Sequence, residues 1–315
     1  MTLQQLEYVV ALDEHRHFGR AAEARHVTQP TLTMQLRKLE EELDVVLFDR
    51  RAHPVRPTTE GARLIAQARI VVREAEALHS LALELHGGIA GRYHLGIIPT
   101  LAPYLLPLML PRFAAAHPDV RLVLDERKTG RIVHGLRTGE LDLGILTTPL
   151  NAPDLEEIPL FREPFLAYLP KGHPLRRRSR ISGSDLQHEP IWVLGEGHCF
   201  REQALDICDV PKAAGHANVV YESGSVETSK HFVQHGSGMT LVPELSVTAN
   251  DPYARRFTAP EPVRQISLVA RRPFARRMLL DALSEAVRRS VPRRMCAHRS
   301  EPLAPPAIAD HLNPR

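Results

Sequence analysis

The chain has 315 residues, long for a single hydrophobic core, so two or three domains are expected. Hydrophobic residues make up 43% and charged residues 24%, an ordinary globular balance, and no apolar run approaches the roughly 18 residues of a membrane span. The net charge of +3 is too small to argue for nucleic acid by itself, and residues 1–57 hold eight Arg/Lys against nine Asp/Glu, so any case for DNA rests on where the charges sit.

The opening stretch MTLQQLEYVVALDEH lacks a basic segment followed by an apolar one, so no signal peptide is expected and the chain is read as cytoplasmic. Residues 3–14 place Leu3, Leu6, Val9, Val10 and Asp13 near one helical face. A second short helix starts near His17 and Phe18, and His26-Val27 makes a turn. Thr28 reads as an N-cap with Pro30 tolerated in the first turn of a helix that runs to about Leu43. Leu32, Leu36, Leu39 and Leu43 form its inward stripe. Pro30, Thr33, Met34 and Arg37 point the other way, with Thr31 and Lys38 at the edge.

Two short helices, a tight turn and an amphipathic helix make a helix-turn-helix pattern, in which the last helix reads the major groove with its N-terminal half. Gln29, Thr31, Thr33 and Arg37 suit that role, because Arg pairs with guanine and Thr meets polar edges or the thymine methyl. The same polar face also fits an ordinary solvated helix. Residues 47–57 read as a small β-wing whose Arg50, Arg51 and Arg56 suit phosphate contacts, with Glu40 to Glu42 away from that patch.

Residues 59–88 read as one long helix, capped by Thr58 or Thr59 and ended by Gly87-Gly88. Leu64, Ala68, Val71, Ala75, Leu78, Ala82 and Leu85 repeat at spacings of four and three, a coiled-coil seam. A homodimer through this helix is the expectation, and packing on its own domain is the alternative.

From residue 91 strands alternate with helices, the α/β signature. Strands are expected at 93–98, 120–124, 141–146, 165–169, 191–194, 219–222, 239–242 and 266–270, and helices at 103–116, 130–139, 226–235 and 276–289. Residues 291–315 are Pro-rich and aperiodic and are expected to be disordered, with Cys296 of no functional weight.

This order of parts, together with Phe18-Gly19-Arg20-Ala21-Ala22, Thr28–Thr33, Leu39-Glu40, Leu47–Arg50 and Thr58-Thr59-Glu60-Gly61, resembles the LysR-type transcriptional regulators over residues 1 to about 290. The resemblance implies an α+β multidomain chain: a winged helix-turn-helix at 1–58, a dimerising linker helix at 59–88 and a two-lobed α/β effector domain at 91–290 like a periplasmic binding protein. The lobes are expected at 91–162 plus 266–290 and at 163–265. The resemblance also implies dimers that pair into tetramers, a partly palindromic double-stranded DNA operator and contact with RNA polymerase. No Gly-x-Ser-x-Gly elbow or phosphate-binding Gly-rich loop is present, so no enzymatic activity is expected, and no cofactor.

Residues 96–107, the run Glu196-Gly197-His198-Cys199-Phe200-Arg201-Glu202-Gln203, and Cys208 resemble the peroxide-sensing branch of that family. Three cysteines make no structural disulfide framework, and inert buried thiols are the plain reading of any pair. The resemblance instead makes Cys199 the thiol that hydrogen peroxide oxidises and Cys208 the one that resolves it into a disulfide. It extends the peroxide pocket to Thr100, Thr129 and Arg264, beside His198 and Arg201, which are placed to stabilise a thiolate. Residues 200–207 read as helical. A helix would hold the two α-carbons roughly 13 Å apart at ~1.5 Å per residue. A disulfide tolerates about 7 Å at most, so the segment would have to unwind. Cys208 also reads as plain core packing. Residues 209–218 and those beyond 290 have no counterpart in the resemblance.

Thr100 lies between a strand and a helix start, where backbone N–H groups favour anions. That leaves a small organic acid between the lobes as the alternative effector, and a plain N-cap as the bland reading of Thr100. His231 and His235 share a helix face, but no third ligand lies near them, and His15 and His17 share none, so no metal is expected.

Overall fold

The computed structural model describes residues 1–84, 88–187, 189, 191–195, 197–208, 225–236 and 238–303. It divides into two compact units, Met1–Gly88 with Gly135–Leu141, and Ile89–His134 with Asp142–Arg315. Among the described residues no helix is long and apolar enough to cross a membrane.

In the first unit, α1 (Leu3–His15) begins at a capping box: Thr2 accepts from the Gln5 N–H while the Gln5 side chain accepts from the Thr2 N–H. Its buried face is Gln5, Leu6, Tyr8, Val9, Ala11 and Leu12, so Leu3 of the expected face is exposed. His17 caps α2 (Phe18–Ala24) through Nδ1. Thr28 caps α3 (Gln29–Leu43), with proline in the first turn as read from the sequence. Leu32, Leu36 and Leu39 are buried with α1, Ala21, Ala22, Leu47 and Phe48 in one core. The wing is a pair of two-residue antiparallel strands, β1 (Phe48–Asp49) and β2 (Arg56–Pro57).

The long helix α4 (Thr59–Glu84) has two apolar faces. Ile65, Ala68 and Val72 close the core of this unit, and buried Arg69 pairs with Asp13 of α1. Leu64, Val71, Leu78 and Leu81 are exposed. Packing on its own domain and an open apolar seam therefore coexist. Leu85 lies outside the described residues. Gly61 is dictated by a close approach: a Cβ there would stand 2.1 Å from the Leu47 carbonyl oxygen. Thr58 Oγ1 takes the Gly61 N–H at 2.9 Å and donates to the Val46 carbonyl, locking the wing to the start of α4.

In the second unit, β3 (Gly91–Ile97) runs parallel to β4 (Val120–Glu126) and β5 (Leu143–Thr148), with α5 (Ala102–Ala116) and α6 (Thr129–Thr138) in the crossovers. Two long strands then tie two sheets together. These are β6 (Leu155–Tyr168) and β11 (Val263–Arg271), antiparallel to each other, with β11 also pairing β5. Beyond residue 164, β6 leaves this sheet and pairs with β9 (Met239–Pro243) and β10 (Ala254–Phe257). β9 pairs β8 (Ile191–Trp192), and β10 pairs β7 (Arg180–Ile181). The second lobe buries Phe165, Tyr168, Trp192, Phe200, Cys208, Leu241 and Phe257 in one cluster under α7 (Cys199–Cys208) and α8 (Val226–Gln234). The last long helix is α9 (Arg277–Ser290).

β7, β10 and the first half of β6 have no counterpart in the sequence reading, because they are short or mix charges without clean alternation. The strand expected at 219–222 lies outside the described residues. The expected disorder of the tail is overturned for residues 291–303. Val291 and Met295 are buried, α10 (Arg293–Cys296) makes one turn, and Arg162 binds the carbonyls of His298 and Ser300 at 3.1 and 3.0 Å. Two spaced apolar anchors and borrowed side-chain donors order a segment that has no periodicity to announce it. Residues 304–315 lie outside the described residues.

Candidate functional site

Cys199 opens α7 and is buried. The Thr129 hydroxyl, at the start of α6, approaches its Sγ at 3.7 Å. Around the thiol lies a cavity lined by Ile98, Pro99, Thr100, Lys128, Thr129, Gly197, His198 and Phe200. It leaves about 10 Å³ for the centre of a water-sized molecule. That is about the space one water-sized molecule needs.

Thr100 is not an N-cap. Helix α5 starts at Ala102 behind Leu101, which makes no side-chain cap. The Thr100 hydroxyl instead accepts from Arg264 Nη1 at 2.7 Å, and its carbonyl accepts from Nη2 at 3.1 Å. Arg264 is 1% exposed and is held through Nε and Nη2 by Glu163, itself 0% exposed, at 3.0 and 2.8 Å. The Leu245 N–H also donates to Glu163, and the Arg264 guanidinium lies 5.2 Å from the Phe200 ring centre. Every strong contact of this buried ion pair is satisfied, which is what permits its burial. Nothing in the local sequence around Glu163 signals this role, since the pairing spans two strands a hundred residues apart.

His198 does not supply the charge that the sequence reading expected of it. Burial first, and then the nearby Lys128 ammonium, push the His198 imidazole down to about 4, so it is neutral at pH 7. It remains part of the wall of the cavity. Arg201 donates to the Leu194 carbonyl at 2.8 Å and is not among the residues lining the cavity. The cation at the cavity is Lys128, which the sequence reading missed. Its chain crosses Gly197, where φ is +80° and a Cβ would meet Lys128 Cδ at 3.3 Å. Its place beside Thr129 was the only signal.

Cys208 ends the same helix and is fully buried in the second lobe's core. Burial pushes its thiol up to about 12, so it is no nucleophile where it stands. The helix is continuous from Cys199 to Cys208. Among the described residues no group of three or more His, Cys, Asp or Glu side chains gathers as for a metal.

In the first unit, Gln29, Pro30, Thr33, Met34, Arg37, Lys38 and Glu41 of α3 line one open concave face. Thr31 is half-buried, its hydroxyl 2.8 Å from that of the cap Thr28. Arg51 and Arg56 of the wing are exposed. Arg50 departs from expectation. It pairs with Glu40, which also accepts the Leu47 N–H at 2.8 Å, and it covers the Phe18 ring. Glu40 is thus part of the wing joint, because α3 ends directly beneath β1.

Residues 3–62 match the model of the bacterial regulatory helix-turn-helix proteins of the lysR family, and residues 86–292 match that of the LysR substrate binding domain. This chain is a LysR-family transcriptional regulator. The LysR regulator is 39% identical over 296 residues to the hydrogen peroxide-inducible genes activator of Dickeya chrysanthemi, covering 91% of this chain and 95% of that protein. It is 39% identical over 295 residues to the DNA-binding transcriptional dual regulator OxyR of Escherichia coli K12, with 91% and 95% covered. Among solved structures it resembles full-length OxyR of Pseudomonas aeruginosa, with TM-score 0.79, 35% identity, and 92% and 99% of the two chains covered. It also resembles a hydrogen peroxide-bound cysteine mutant of OxyR from Corynebacterium glutamicum, with TM-score 0.62, 31% identity and 92% of each chain covered. The winged helix-turn-helix and two-lobed α/β architecture read from the sequence is that of this family.

Proposed function

We propose that this LysR regulator senses hydrogen peroxide at Cys199 and responds by forming a Cys199–Cys208 disulfide. The observation that carries the reading is a buried thiol that accepts a hydrogen bond from the Thr129 hydroxyl beside a small cavity, at the head of a helix whose other end is the second thiol. The Cys199 thiolate attacks one peroxide oxygen, the O–O bond breaks, and the departing hydroxide takes a proton to become water. Thr100, which Arg264 holds, and Thr129 are placed to hydrogen-bond the peroxide. The product is a sulfenic acid on Cys199. Cys208 then attacks that sulfur, and the S–O bond breaks. Its hydroxide leaves as water with the Cys208 proton. The two thiols lose two electrons and peroxide is reduced to two waters.

Nine residues of intact helix separate the two α-carbons by roughly 13 Å along the axis at ~1.5 Å per residue, so α7 must unwind before the second step. Burial of Cys208 in the lobe core makes the order compulsory, since it becomes reactive only after leaving that core. Refolding of α7 then repacks the effector domain, the two-state element a switch needs.

The DNA half reads an operator through α3, with Gln29, Thr31, Thr33, Met34 and Arg37 toward bases, and Lys38, Arg51 and Arg56 toward phosphates. The protein acts in the cytoplasm as a homodimer through the open face of α4, with dimers pairing into tetramers on a partly palindromic site and contacting RNA polymerase. The relatives' names, as peroxide-inducible activators and a DNA-binding regulator, support this reading.

The test is a thiol count before and after one equivalent of hydrogen peroxide, with peptide mapping. Two thiols should disappear, linked as Cys199–Cys208, and Cys199→Ser should form no such bond. An unchanged thiol count would remove peroxide sensing.

A further inference from the structure

Cys296 and the arginine-rich face of the second lobe offer exposed chemistry, but the ordered C-terminal segment touches the helix that carries both thiols. Residues 291–303 run back across the effector domain. Arg294 pairs with Glu244, His298 lies 3.4 Å from Glu261, and Arg162 holds the carbonyls of His298 and Ser300. Pro302 bridges to Val263, and the Leu303 N–H donates to the Val263 carbonyl at 2.8 Å, one residue before Arg264. The Leu303 side chain packs on the core cluster that contains Phe200, Ala204 and Cys208. Its carbonyl accepts a hydrogen bond of 2.8 Å from Gln203 Nε2. Gln203 is fully buried in the middle of α7, one turn after Cys199, and its Oε1 has no hydrogen-bond partner among the described residues. The segment therefore reaches α7 at one polar point and one apolar point.

We propose that Gln203 restrains disulfide formation: it ties α7 to this C-terminal strap, and release of the strap is a required step between oxidation of Cys199 and its condensation with Cys208. The inference rests on the disulfide reading above. Peroxide reaches Cys199 with α7 in place, so the first step does not need the strap to move. The second step does, because Cys208 cannot cross more than two helical turns while Gln203 is anchored between the two sulfurs. A buried amide that loses its acceptor without a replacement is costly, so the Gln203–Leu303 bond resists the unwinding. The strap also links that unwinding to β11, which carries Arg264 of the peroxide pocket.

The experiment separates the two steps. Full-length protein is mixed with hydrogen peroxide and quenched over time. The Cys199 sulfenic acid is trapped with a dione and the Cys199–Cys208 disulfide is counted by mass spectrometry. Three proteins are compared with the parent: Gln203→Met, Arg162→Gln, and a chain ended after Ala297. The ratio of the disulfide-forming rate to the sulfenic-acid-forming rate should rise at least fivefold in Gln203→Met and in the shortened chain, and less in Arg162→Gln. Loss of general stability alone would lower the melting temperature without raising that ratio. A ratio within twofold of the parent in both the shortened chain and Arg162→Gln, whatever the fate of Gln203→Met, would overturn the proposal. A parent that forms sulfenic acid but never the disulfide would overturn the underlying reading and the strap with it.

Discussion

At Cys199 the chemistry is governed by which neighbours can carry charge, and His198 cannot at neutral pH. Its buried imidazole is held down to about 4, against an ordinary value of 6.5. A histidine whose folded value is lowered binds its proton more readily in the unfolded chain. Its contribution to stability is therefore whole above about pH 6.5 and is lost as the pH falls toward 4. Between pH 7 and pH 5 this single group should remove roughly 2 kcal/mol. The expected outcome is a lower melting temperature at pH 5 than at pH 7, with a smaller difference in His198→Gln. An equal difference in both proteins would mean that the imidazole titrates normally. A neighbour reading of Gly-His-Cys makes histidine a cation, and only its burial and Lys128 show otherwise.

At the scale of elements, helix α4 was legible because its apolar residues repeat at helical spacing and its start carries Thr58 and Gly61. What the repeat does not convey is that Ile65, Ala68 and Val72 already serve the core of the first unit while Leu64, Val71 and Leu78 remain outside. The joint at its start is steric. Gly61→Ala should cost about 1–3 kcal/mol, because the methyl must push back the Leu47 carbonyl and with it the wing. Chemical denaturation of a fragment or of the full chain would read this as a lower midpoint, and an unchanged midpoint would mean that the wing yields freely. Helix α7 was equally legible as a helix, since its ten residues carry helix formers and one apolar side. The strap that covers it was not, because a proline-rich run of 13 residues has no period, and its bonds go to side chains from β6 and α7 far earlier in the chain.

For the whole molecule, the open stripe on α4 leaves Leu64, Val71, Leu78 and Leu81 exposed. Leu78 is 70% exposed. If two copies close on that stripe, Leu78→Glu removes two buried leucines per dimer and sets two like charges together. The dimer dissociation constant should rise roughly 100-fold or more, taking 1.5–3 kcal/mol per leucine. Sedimentation across a concentration series would measure it, and an unshifted association curve would place the dimer contact elsewhere.

The sequence by itself determined the order of parts, the helix-turn-helix pattern, the long amphipathic helix, the alternation of strands and helices, and the two cysteines on one helix. Those features are local: they are written in periodicity, capping residues and short motifs that a helix or strand realises by itself. Tertiary structure alone decided that Glu163 holds Arg264 against Thr100, that Arg50 belongs to Glu40, that His198 is neutral, and that the tail binds Gln203. Each of these depends on groups distant in sequence meeting in a low-dielectric interior, where burial and partner set charge and hydrogen bonding, and no local pattern encodes which groups will meet.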